Sequence, residues 1–318
     1  MIARNCKVLV GLIAFCPLLS FADCNQFTLK HSVDGSQLWQ DFSYLASDET
    51  QGRKTGSSGS VLAQDYLVKR FSDIGLQSFT KEKDYRLPFR YELTFSHVDG
   101  INIAGYLKGQ SKPDEFIVIS AHYDHIGMRG SRIFNGADDN ASGVSALLAI
   151  AQQVSQFGSE HSVIFLATDA EEKGLYGSKA FVQNPPVELA NIKYNLNLDM
   201  VSQNQGKNRL YVSGARYHAA FKPVVETAIE QAGLCLVNQH RRNQRGYAMA
   251  MGPDWRKASD HASFAEADIP YLFVGVSEHS YYHSEKDTVD KVDPIFFQAA
   301  VETSLSLFTL MDRIEGDE

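Results

Sequence analysis

Cysteine is scarce in this 318-residue chain: there are four, and no two stand in Cys-x-x-Cys spacing. That excludes a small scaffold built on disulfides and a cysteine-ligated zinc finger. Basic residues are in the minority, with 30 Lys and Arg against 38 Asp and Glu for a formal net charge of −8. A nucleic-acid-binding protein would carry a basic footprint, so no nucleic-acid partner is expected. Internal repeats, low-complexity tracts and a Pro- or Gly-rich linker are missing too. Gly52 to Ser60 is rich in Gly, Ser and Thr but lacks a Gly-Lys-Ser/Thr ending, which removes a P-loop. No Gly-x-Ser-x-Gly elbow occurs, which disfavours a serine hydrolase. What remains is 44% hydrophobic and 21% charged, too apolar for disorder and too charged for a polytopic membrane protein.

The longest apolar stretch near the start, Val8 to Phe21, is 14 residues, short of the roughly 20 a spanning helix needs. Arg4 and Lys7 precede it, and Ser20-Phe21-Ala22 places small residues where a signal peptidase inspects the chain. Residues 1–22 therefore read as a secretory signal, cleaved near Ala22, with export to the periplasm or medium. Asp23 ahead of Cys24 does not fit a lipoprotein site. The mature chain, 23–318, then has no membrane span, and its formal charge moves from −8 to −10 because the leader carries two bases and no acid. It keeps Cys24 and Cys235, which either pair in an oxidising compartment or stay as two thiols.

Helical spacing covers Ser36 to Ala46 and Ser58 to Leu76, and the pattern turns strand-like from 84 to 107. Apolar runs at 116–120, 163–167, 194–198, 210–212 and 271–274 then alternate with helical stretches at 142–156, 218–232 and 294–314. This order predicts an α/β fold, a three-layer αβα sandwich around a mainly parallel, mixed central sheet. In such sheets the ligand site lies beyond the carboxyl ends of the strands.

Acidic residues and histidines stand at those ends. The first run leads into His122-Tyr123-Asp124-His125, the second into Asp169-Ala170-Glu171-Glu172 and the third into Asp199; the last leads to Tyr282-His283. Asn135 to Gly143 adds Asp138 and Asp139 just before a helix. Buried, such groups are costly unless paired, and a metal ion is the usual remedy. His, Asp and Glu without cysteine suit a catalytic zinc site with an open position. On extended backbone His122 and Asp124 share a face, so Asp124 is placed to hold the second nitrogen of His122. Glu171 and Glu172 should point apart, one to metal and one to substrate.

These segments resemble the dizinc aminopeptidases typified by the secreted bacterial leucyl aminopeptidases. The resemblance rests on His122-Tyr123-Asp124, Gly136 to Gly143, Ala170 to Ser178, Asn197 to Met200, Tyr282 to Thr288, and upstream Leu45 to Asp48 with Gln51-Gly52-Arg53. It covers nearly the whole mature chain and implies a single catalytic domain over 23–318. It further implies two Zn²⁺ ions per chain, one held by His122 and Asp199 and the other by Glu172 and His283. Asp139 would bridge them, followed by a cis peptide bond. Glu171 would be the general base, Asp124 the support of His122, and Tyr282 a donor to the oxyanion, as in some members of that family. Substrates would be peptides with a free N-terminus. Asp260 and His261 belong to a segment also similar to the family and are expected near the site without ligating. The nearest alternative is a glutaminyl-peptide cyclotransferase working with one zinc, and a more distant one is a non-catalytic receptor-like module.

Several other features are expected to be bland. His31, His97, His161, His218 and His240 fall outside the motifs, while His125 and His279 lie close enough to touch substrate. Arg241, Arg242 and Arg245 read as a solvated loop or a lid. Asn140-Ala141-Ser142 is a glycosylation sequon in form only. Oligomeric state is left open.

Overall fold

In the central strands, alternate side chains enter two different apolar layers. Ile117, Ile119, Val163 and Phe165 join one buried cluster, and Val118, Ile164 and Leu166 join another on the opposite face. A strand's period of two makes this the signature of a sheet covered on both sides. The computed structural model describes Cys24 and residues 27–81, 84–239 and 255–315. The signal segment 1–22, His240 and the Arg241–Arg245 cluster lie outside them.

The strands are β1 (Gln77–Ser78), β2 (Arg86–Glu92), β3 (His97–Leu107), β4 (Lys112–His122), β5 (Gly127–Arg129), β6 (Arg132–Phe134), β7 (His161–Thr168), β8 (Ile192–Leu198), β9 (Arg209–Ser213), β10 (Cys235–Asn238) and β11 (Tyr271–Gly275). The helices are α1 (Gly35–Leu45), α2 (Ser58–Ile74), α3 (Gly143–Phe157), α4 (Tyr176–Gln183), α5 (Phe221–Gln231), α6 (His261–Glu266) and α7 (Pro294–Asp312). Nine of the strands form one mixed sheet in the order β1-β3-β7-β4-β8-β11-β9-β10, with β2 on the far side of β3; β5 and β6 make a separate hairpin. Strands β7, β4, β8 and β11 run parallel in the centre. The pairings flanking this centre, β3 with β7 and β11 with β9, are antiparallel. Helices α1, α2, α3, α5 and α7 bury one face and α4 and α6 the other, completing three layers.

Local chemistry sets the helix ends. Asp34 caps α1 through the N–H groups of Ser36 and Gln37, and Asp293 caps α7, whose first residue is Pro294. Helix α2 stops at Ile74, because Gly75 turns left-handed at φ 84°. Helix α5 begins at Phe221, three residues later than the periodicity predicts; His218 is extended, and Pro223 sits in the first turn, where its missing N–H costs nothing. Helix α7 is apolar and long enough to cross a membrane, yet its Phe296, Phe297, Val301, Leu307 and Met311 are in the core. Cys24 and Cys235 form a disulfide, Cα–Cα 5.2 Å, that ties the N-terminal segment to β10.

Candidate metal centre

The parallel strands deliver their polar ends to one place. His122 closes β4, Glu171 and Glu172 follow β7, Asp199 follows β8, and His283 lies in the loop after β11. Asp139 arrives from the irregular turn Ala137–Ser142 that precedes α3, and the Asp139–Asn140 peptide bond is cis. Gly136 opens that turn in left-handed conformation, φ 56°, where a Cβ would stand 2.1 Å from the Asp139 carbonyl oxygen. Only glycine fits there.

Asp139 sits between two histidines. Its Oδ1 is 3.3 Å from His122 Nε2, and its Oδ2 is 3.1 Å from His283 Nε2. His122 Nε2 is also 3.3 Å from Asp199 Oδ1, and His283 Nε2 is 3.3 Å from Glu172 Oε2. Tetrahedral zinc with bonds of about 2.0–2.1 Å separates neighbouring donors by about 3.3–3.4 Å. The observed spacings fit two such positions sharing Asp139. Asp139 Oδ2, Glu172 Oε1 and both ring nitrogens of His125 are buried without hydrogen-bond partners, as expected of lone pairs directed at a cation rather than at one another.

At two of the carboxylates, Asp139 and Glu172, the surroundings favour the ionised form. Burial works against the Asp139 carboxylate, but His125, His122 and His283 hold its pKa well below the usual range. Burial and Asp139 oppose ionisation of Glu172, yet contacts from His125 and His283 bring it down to about 2. Glu171 differs: burial, with Asp199, Asp260 and Glu172 nearby, pushes its pKa well above the usual carboxylate value despite His122. Two adjacent glutamates thus have opposite proton affinities, one suited to a metal and one to a proton.

Glu171 lines a cleft of about 190 Å³ together with His122, Asp139, Asp199, Tyr282 and His283. Apolar lining comes from Met200, Trp255, Phe273 and Val276, and Glu278 also lines the cleft. The Tyr282 ring stacks on His283, centroids 3.9 Å apart. Burial first, then the surrounding carboxylates, raises the phenol pKa, so the hydroxyl keeps its proton.

Asp124 is placed differently from the expectation. The Nδ1 of His122 meets the Asp124 carbonyl oxygen at 3.0 Å, while the carboxylate is 3.7 Å away, too far for a hydrogen bond. That carboxylate accepts instead from the Glu171 N–H at 3.0 Å and from Thr55 Oγ1 at 3.3 Å. His279 does not reach the cleft: its Nε2 pairs with Asp138 Oδ2 at 3.0 Å. His125 is buried behind the ligands, its Nδ1 2.8 Å from Glu172 Oε1. Asp260 is buried and accepts from Thr168 Oγ1. His261 stacks on Phe273, centroids 4.5 Å apart. Asn140 is fully buried, and its side-chain amide donates to the Leu198 carbonyl oxygen, so the sequon offers no glycan site in the fold.

Two supporting residues had no role assigned from sequence. Buried Arg53 donates to the carbonyl oxygens of Tyr123, Leu45, Asn135 and Gly136, fastening the His122 and Asp139 loops together. Asp287 accepts the N–H groups of Asp138 and Asp139 at 2.9 and 3.1 Å. Both stand inside motifs quoted above, but only long-range contacts reveal their work.

Residues 102–308 match the peptidase family M28. Aminopeptidase YwaD of Bacillus subtilis is 27% identical over 234 residues, covering 70% of this chain and 47% of YwaD. The chain thus spans about half or less of the length of the curated relatives it matches. Among solved structures, the zinc aminopeptidase BSAP from Bacillus subtilis superposes with a TM-score of 0.67 at 17% identity, covering 87% of this chain and 95% of BSAP. A Bacteroides thetaiotaomicron glutaminyl cyclase bound to N-acetylhistamine superposes with a TM-score of 0.66 at 20% identity, covering 86% of this chain and 97% of the cyclase. Identities this low establish the fold: a mixed sheet with helices on both faces.

Proposed function

Because the chain belongs to peptidase family M28, we propose that it is a metallo-aminopeptidase releasing N-terminal residues from peptides with a free amino end. Two Zn²⁺ ions would be held by His122, Asp139 and Asp199 on one side and by Asp139, Glu172 and His283 on the other. The observation that carries this is the shared carboxylate, each oxygen of Asp139 facing a different histidine at zinc-ligand spacing. Bound there, two zinc ions would supply Lewis acidity and lower the pKa of a water at the site.

Glu171 takes a proton from the attacking water and returns it to the leaving amine nitrogen, a part its raised proton affinity suits. The Asp124 carboxylate fixes the backbone of Glu171 for that exchange. The protonated Tyr282 hydroxyl, on the cleft wall, donates to the charge developing on the carbonyl oxygen. Met200, Trp255, Phe273 and Val276 provide the apolar surface that receives the substrate side chain.

The catalytic unit is one domain over 23–318, a reading supported by one nine-stranded sheet whose two faces are covered by helices from along the described residues. Export after cleavage near Ala22 is supported by the Cys24–Cys235 disulfide, which an oxidising compartment would sustain. The cyclase-like fold keeps a transferase in view, but a one-zinc enzyme leaves the paired donor sets around Asp139 unexplained. The test is a substrate panel. Hydrolysis of aminoacyl anilides but not their N-acetylated forms supports the proposal. Pyroglutamate formation from N-terminal glutaminyl peptides without hydrolysis overturns it.

A further inference from the structure

His125 stands next to the proposed ligand set but takes no part in it as assigned above. Its ring is fully buried, and neither nitrogen has a hydrogen-bond partner. A buried imidazole left that way is costly. Yet Nδ1 is 2.8 Å from Glu172 Oε1 and 3.7 Å from Asp139 Oδ2, and both of those oxygens are themselves without hydrogen-bond partners. Short as they are, these separations do not have hydrogen-bond geometry. The donor atoms of His125, Asp139 and Glu172 all lie within 4.8 Å of one another. His283 approaches the same two carboxylates from the open side, where its side chain is 40% exposed.

We propose that His125 is a further metal ligand, donating Nδ1 to the position held by Asp139, Glu172 and His283; this rests on the two-zinc reading above. The two positions are then unequal. One has four protein donors and is closed in the manner of a structural site. The other, with His122, Asp139 and Asp199, has three and keeps an open place for water and substrate. The closed position binds more tightly, and the open one exchanges.

The test is zinc competition against a chelator on the wild-type holoprotein, His125→Ala and His125→Asn. The wild type should bind two zincs in two affinity classes, which checks the parent reading separately. In both variants the tighter class should weaken by at least about 100-fold, beyond a typical outer-contact loss, while the weaker stays unchanged. Rescue by His125→Asn, which keeps a donor for a hydrogen bond to Glu172 but is a poor zinc ligand, would overturn the proposal, as would unchanged affinity. Zinc X-ray absorption of the wild type gives a readout independent of variant folding. Three imidazoles per two zincs are expected, and two would contradict it.

Discussion

The carboxylate of Asp124 accepts the backbone N–H of Glu171 at 3.0 Å, joining the end of β4 to the turn after β7. The spacing of His122 and Asp124 points to a carboxylate holding an imidazole, but in the fold the Asp124 carbonyl oxygen meets that ring. Substitution of the side chain therefore leaves the histidine's contact in place. Asp124→Ala should keep its zinc and lose kcat by about 10- to 100-fold through displacement of Glu171, with KM nearly unchanged. Zinc content measured beside steady-state kinetics checks this; loss of metal in proportion to activity would return Asp124 to the role of supporting His122.

Glu171→Gln removes the proton acceptor but keeps the shape. Both zincs should stay bound while kcat falls by about 10²- to 10⁴-fold. Normal turnover in the metal-loaded variant would remove Glu171 as the base.

Arg53 is expected to matter for stability. Its guanidinium satisfies four carbonyl oxygens, three in the loops carrying the ligands and one at the end of α1, and burial lowers its pKa only to about 10, so it stays charged. Arg53→Met fills the space but leaves those acceptors unpaired, at a cost of about 3 kcal/mol or more. Denaturant unfolding in the presence of chelator isolates this from metal binding, and a change below about 1 kcal/mol would show the clamp to be dispensable.

Much of the ligand cluster was legible because its members follow apolar runs that only a covered strand explains, Phe116 to Ser120 before His122 and Val163 to Ala167 before Glu171 and Glu172, while Asp139 stood out by the motif before α3. Strand β10 and helices α4 and α6 were not marked, being short and lacking strong periodicity. The work of Arg53, Asp287 and Asp138 could not be read from sequence because it consists of contacts between distant segments, such as Asp287 with the N–H groups of Asp138 and Asp139. His125 and His279 shared the same local signal, a histidine near a motif. Packing sent one to Glu172 and the other to Asp138.

His261 gives a pH dependence. Burial lowers its pKa to about 4 from the ordinary 6.5. Its Nε2 lies 2.9 Å from the Trp255 carbonyl oxygen, whereas Nδ1 has no partner to receive a second proton. The folded state therefore favours the neutral ring. The stability this provides is full above pH 6.5 and is lost as pH falls toward 4, because the unfolded chain takes up the proton first. Relative to His261→Phe, which keeps an aromatic ring against Phe273, the wild type should lose about 2 kcal/mol between pH 7 and pH 5. Parallel curves for the two proteins would contradict that assignment.

The zinc content of the purified wild-type protein, measured at equilibrium with a buffered excess of free zinc, tests the shared-carboxylate site most directly. Two zincs per chain are expected, falling to one or none in Asp139→Ala. A single zinc in the wild type, with activity intact, would contradict the two-metal account.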